Sequence, residues 1–144
     1  MPRLTEAQYA ALLRRQGRPA KPRTTLPAAS EHDEQCAVIA WARIMAGRWP
    51  ELRLLASIPN GGARDKASAA QIAAEGVLVG APDLALFVQR HGFGALFIEM
   101  KTARGRLSPA QVQVHEWLRA AGYLVVVCRS SEEAIRALEH YLEE

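Results

Sequence analysis

The chain has 144 residues, 49% of them apolar and 23% charged, the balance of an ordinary globular protein long enough to bury one hydrophobic core without staples. No apolar run reaches transmembrane length and the N-terminus lacks the basic-then-apolar pattern of a secretory leader, so no membrane association and a cytoplasmic location are expected. The net charge of +3 is unevenly spread: residues 1–30 hold six basic side chains against Glu6 alone, while residues 31–144 hold 12 basic and 14 acidic groups. A basic arm suits a polyanionic partner, and it equally suits a solubilising tail.

Residues 5–16 can form a short helix. Gly17 to Ala29 follows with Pro19, Pro22 and Pro27 among basic residues, a spacing that excludes a helix and favours an extended, mobile connector. Two regions result: a basic, Pro-rich arm over 1–29 and a folded domain over 30–144. Ser30 is placed to cap a helix over about 31–47, with Glu31, Asp33 and Glu34 in its first turn, where the helix dipole favours negative charge. Val38, Ile39, Trp41, Ile44 and Met45 give that helix an apolar face. Residues 52–58 read as a strand, Pro59 to Gly62 as a loop, and about 64–75 as a second helix.

The Gly80-Ala81-Pro82 turn introduces a strand over 83–88, a hairpin loop over 89–94 and a returning strand over 95–100. The second strand is apolar on both faces until Glu99, which predicts a central place in the sheet. Ser108, Pro109 and Gln111 mark the start of the next helix as cap, first residue and capping-box partner. Gly122 ends it. A buried strand over 123–128 and a helix over 131–142 close the chain, giving an α/β fold with a mixed sheet of about four strands flanked by helices. Cys36 and Cys128 each stand in an apolar run and read as buried small hydrophobes, not as a zinc pair or a disulfide. The tryptophans fit core positions, and His32, His91, His115 and His140 show no ligand spacing.

Asp83 opens the first hairpin strand and Glu99 closes the second, so antiparallel pairing sets the two carboxylates side by side. Strand alternation points Glu99 and Lys101 to one face and Met100 to the other. Two adjacent carboxylates repel unless a proton or a cation holds them together, and a hard divalent ion such as Mg2+ takes oxygen ligands while leaving positions for water and phosphate. The Met100 backbone carbonyl offers a third protein ligand, and Lys101 would stabilise a metal-bound hydroxide or the charge developing on a phosphate. A Glu99–Lys101 surface ion pair at a fraying strand end is the alternative.

Gly80-Ala81-Pro82-Asp83-Leu84, Phe97-Ile98-Glu99-Met100-Lys101 and Gly105-Arg106-Leu107-Ser108-Pro109-Ala110-Gln111 together resemble the VRR-NUC domain, the virus-type replication and repair branch of the PD-(D/E)xK nucleases. The resemblance takes in Glu31 and Gln35 upstream, Asn60-Gly61-Gly62 with Arg64, and Gly122-Tyr123 downstream, over about residues 30–143. It implies a restriction-endonuclease-like core in which Asp83, Glu99 and the Met100 carbonyl hold Mg2+ or Mn2+ and Lys101 is the catalytic lysine. Glu31 matches the first-helix glutamate of the family, with Glu34 one turn on as its competitor. Gln111 matches the glutamine that steadies the lysine or the substrate phosphate, a role compatible with capping. Asn60, Gly61, Gly62, Arg64 and Lys66 suit a phosphate-binding loop, or a turn and cap; Arg104 and Arg106 suit the nucleic-acid backbone, or a solvated loop. Stand-alone members resemble structure-specific endonucleases of phages and bacteria that act as homodimers on branched DNA, which implies DNA and replication or repair proteins as partners. A non-catalytic DNA-binding module of the same fold and a nuclease acting on RNA are the competing readings.

Overall fold

The computed structural model describes residues 5, 7–8, 11, 29–59 and 66–143. The expectations placed on the Pro-rich connector, on Asn60, Gly61, Gly62 and Arg64, and on the Lys66 side chain lie outside those residues. Helix α1 spans Glu31–Met45, a 3-10 turn Pro50–Leu54, β1 Leu55–Ser57, α2 Lys66–Ala74, β2 Leu84–Leu86, β3 Leu96–Met100, α3 Pro109–Ala120, β4 Leu124–Cys128 and α4 Ser131–Leu142. The strands lie in the order β1-β2-β3-β4, antiparallel except for the parallel β3–β4 pair. This is the mixed four-stranded α/β sheet expected, with β3 inside it. Among the described residues no helix is long and apolar enough to cross a membrane.

Alternation along the strands divides the sheet between two helical layers. Leu84, Leu86, Leu96, Ile98, Met100, Leu124 and Val126 face one way and bury against Val38 and Ala42 of α1 and Ala134, Leu138 and Tyr141 of α4. Ala85, Phe97, Glu99 and Val125 face the other way, the side covered by α3. The helices start where their caps dictate. Ser30 and Asp33 form a reciprocal capping box on α1, and Ser108 and Gln111 form one on α3. At the far end of α3, Gly122 adopts φ +93°, Tyr123 N–H returns to the Leu118 carbonyl at 3.1 Å and Gly122 N–H to the Arg119 carbonyl at 3.0 Å, the paired bonds of a Schellman stop.

Four expectations need correction. Residues 52–54 are not strand: Pro50 starts a 3-10 turn, Leu52 N–H bonds the Trp49 carbonyl at 3.0 Å, and the strand begins only at Leu55. A short apolar run satisfies either element, and here burying Leu52 decides it. Cys36 is exposed, since it lies two residues, over half a turn, from buried Val38. Cys128 is buried as expected, and burial pushes its thiol up to about 12. Ile44 and Trp117, read as core, are 79% and 59% exposed. Each sits off the buried stripe of its helix, Val38–Ala42 in α1 and Val114–His115 in α3.

Candidate active site

The register that pairs Leu84 with Ile98 carries one step further to set Asp83 opposite Glu99. Both project to the α3 face. Asp83 is held at two points: Ile58 N–H donates to its backbone carbonyl at 2.8 Å, and Met100 N–H donates to Oδ2 at 2.7 Å. A strand residue directs its N–H and C=O to the same edge, so the Met100 carbonyl also turns toward the Asp83 side. Burial pushes the Asp83 carboxyl up to about 6; the Met100 N–H opposes the rise, while Glu99 adds both charge repulsion and a side-chain hydrogen bond to it.

Glu99 is 1% exposed and is gripped by α3. Gln111 Nε2 donates to Oε1 at 3.1 Å, and His115 Nε2 lies 3.2 Å from Oε2. Lys101 Nζ stands 3.8 Å from Oε1, its side chain 11% exposed. The ion pair is real, but it is enclosed, not the fraying surface pair of the alternative reading. Gln111 caps α3 at Ser108 as foreseen, but its amide reaches Glu99 and not the lysine.

The turn before Asp83 is locked to that same helix start. Gly80 has φ +92°, and a Cβ there would stand 2.5 Å from the carbonyl carbon and oxygen of Ala110 and 2.8 Å from Gln111 N. Only glycine tolerates both the dihedral and the approach. Backbone contact therefore sets the distance between the turn leading into Asp83 and the helix bearing Gln111 and His115.

The two glutamates of α1 part company. Glu34 accepts the backbone N–H of Ser131 and so ties α1 to the start of α4. Glu31 is exposed and lies one turn before Gln35, which donates to Ser57 Oγ at 3.3 Å beside Leu84 on the paired strand. Arg104 and Arg106 are exposed on the loop after Lys101.

Two contributors were not foreseen. His115 is wholly buried on Glu99; its spacing of four from Gln111 placed it on the same helix face, which was a usable signal. Arg129 Nη1 donates to the carbonyls of Thr102 at 2.9 Å and Gly105 at 2.7 Å, closing the loop that carries Arg104. Nothing in the sequence near Arg129 marks that role. Among the described residues no three His, Cys, Asp or Glu side chains cluster as a metal site; the carboxylates that interact are Asp83 and Glu99.

Residues 18–132 match the family model of the VRR-NUC domain. A solved structure described as a VRR_NUC domain protein superposes with a TM-score of 0.69 at 26% identity, over 81% of this chain and 91% of that one. No curated protein sequence matches.

Proposed function

The chain belongs to the VRR-NUC family of PD-(D/E)xK-type nucleases, and from that premise we propose that it is a Mg2+- or Mn2+-dependent endonuclease hydrolysing phosphodiester bonds in branched DNA such as four-way junctions. The carrying observation is the facing pair of Asp83 and Glu99, with Lys101 Nζ 3.8 Å from Glu99 Oε1. Burial, with the Glu99 charge added to it, raises Asp83 to about 6 and leaves the pair short of positive charge, and the all-oxygen donor set suits a hard divalent ion. Asp83, Glu99 and the Met100 carbonyl would hold the ion, with Glu31 directly or through water. A divalent ion bound there supplies Lewis acidity and acidifies a coordinated water.

The chain's own side chains do the rest. Lys101, tethered beside Glu99, presents positive charge where an attacking water and a phosphate oxygen meet. Gln111 holds Glu99 and stands next to that position. Arg104 and Arg106, with Asn60, Gly61, Gly62, Arg64 and Lys66, contact the nucleic-acid backbone and set register without reading bases. Action as a homodimer, in replication or repair within a bacterial or phage-infected cytoplasm, is supported by the likeness to stand-alone members of the family.

The test is cleavage of junction, flap and linear DNA, and of RNA, with Mn2+. Asp83→Ala and Lys101→Ala are expected to fold and to lose at least about 100-fold in rate. Folded variants that cut like wild type would reject the site, and preferential cutting of RNA would reject the substrate.

A further inference from the structure

Gln111 Nε2 and His115 Nε2 approach different oxygens of Glu99, at 3.1 and 3.2 Å. They stand one helical turn apart, so one face of α3 meets the carboxylate with two groups. The terminal torsion of a glutamate is soft and roughly two-fold, so nothing within Glu99 itself fixes the plane of its carboxylate. Two donors, one on each oxygen, do fix it. With Glu99 ionised, the bond from His115 runs from Nε2–H to Oε2. The other ring nitrogen, Nδ1, is buried with no hydrogen-bond partner among the described residues. An unsatisfied buried nitrogen destabilises the fold, and an apolar side chain of equal volume would fill the space without that cost. His115 therefore has no packing rationale that methionine or leucine would not meet better; what it alone provides is the hydrogen bond to Glu99.

We infer that His115 is a positioning residue, which together with Gln111 holds the Glu99 carboxylate in the orientation that leaves its remaining lone pairs toward Asp83 and Lys101. The inference rests on the metal-dependent reading of Asp83 and Glu99. Partners that orient a ligand in this way are typically worth about 10- to 100-fold in metal affinity.

The experiment is a calorimetric titration with Mn2+ in the absence of nucleic acid, with thermal melting of the metal-free proteins alongside. His115→Met keeps volume and removes the donor. It is expected to weaken Mn2+ binding about 10- to 100-fold while its metal-free melting temperature stays level or rises. His115→Gln, whose amide reaches Glu99, is expected to restore affinity to within a few-fold of wild type. Equal Mn2+ affinity in wild type and folded His115→Met overturns the inference, as does failure of His115→Gln to recover what His115→Met loses. Should His115→Met not fold, His115→Asn, whose shorter amide stops short of Oε2, takes its place under the same criteria. A wild-type protein that takes up no Mn2+, or an Asp83→Ala variant that binds it equally well, brings down the metal-centre reading and this inference with it. Normal wild-type binding with no effect at position 115 brings down the inference alone.

Discussion

Asp83→Asn should make the metal-free protein more stable at neutral pH while abolishing cleavage. The Asp83 carboxyl rises from 3.8 to about 6, chiefly through burial. Between about pH 4 and pH 6 the folded protein keeps a proton there that the unfolded chain has released, so stability falls as pH rises through that window and levels off above it. At about 1.36 kcal/mol per unit the ceiling on this loss is about 3 kcal/mol. Asp83 is only partly enclosed, and solvent screening brings the figure down to about 1–2 kcal/mol. Asparagine fits the site without the charge: its oxygen can accept the Met100 N–H, and its amide can donate toward Glu99. Urea denaturation of wild type and variant from pH 4 to pH 8, without divalent ions, isolates the effect. The two should coincide near pH 4 and diverge to about 1–2 kcal/mol in favour of the variant by pH 7, a rise of roughly 3–8 °C in melting temperature. Excess Mg2+ should close the gap by stabilising wild type alone. A variant less stable than wild type at pH 7, or a difference that does not change with pH, would refute the electrostatic account of the site.

Gly80→Ala combines a strained dihedral with a 2.5 Å approach to the Ala110 backbone. It should cost at least about 2 kcal/mol in urea denaturation and lower Mn2+ affinity by parting Asp83 from α3, whereas a loss under about 0.5 kcal/mol would show that the turn yields freely. Arg129→Ala frees the carbonyls of Thr102 and Gly105. Its stability should fall by about 1–2 kcal/mol and its DNA binding several-fold, with turnover at saturation little changed; unaltered DNA affinity would detach Arg129 from the substrate loop.

The sheet was largely legible because its signals are local. Leu96 to Ile98 are apolar on both faces, which placed β3 inside the sheet, and the Ser108-Pro109-Gln111 pattern located the start of α3 to the residue. The misreadings arose where local signals are degenerate. Leu52, Leu54 and Leu55 fit a strand or a turn equally well until Leu52 is required in the core. Ile44, Cys36 and Trp117 are apolar in composition but stand off the buried stripe, and an apolar residue on a helix does not of itself say which neighbour covers it.

The site divides along the same line. Asp83, Glu99 and Lys101 could be brought together from strand alternation and hairpin pairing alone, two rules that act over a few residues. What turns that triplet into a built site acts between segments far apart in sequence. Gly80 sets the approach of α3 through backbone contact, and α3 then grips Glu99 through Gln111 and His115, 12 and 16 residues on. Arg129 reaches back 24 and 27 residues to close the loop. The four-residue spacing of Gln111 and His115 is visible in the sequence, but what each group contacts depends on where the sheet has already placed both partners. The chemistry-bearing atoms were therefore readable before the groups that orient them. That asymmetry has a consequence for mutagenesis: variants at Asp83 or Lys101 remove chemistry and should leave the fold standing, while variants at Gly80 or Arg129 should lose ligand binding and stability together.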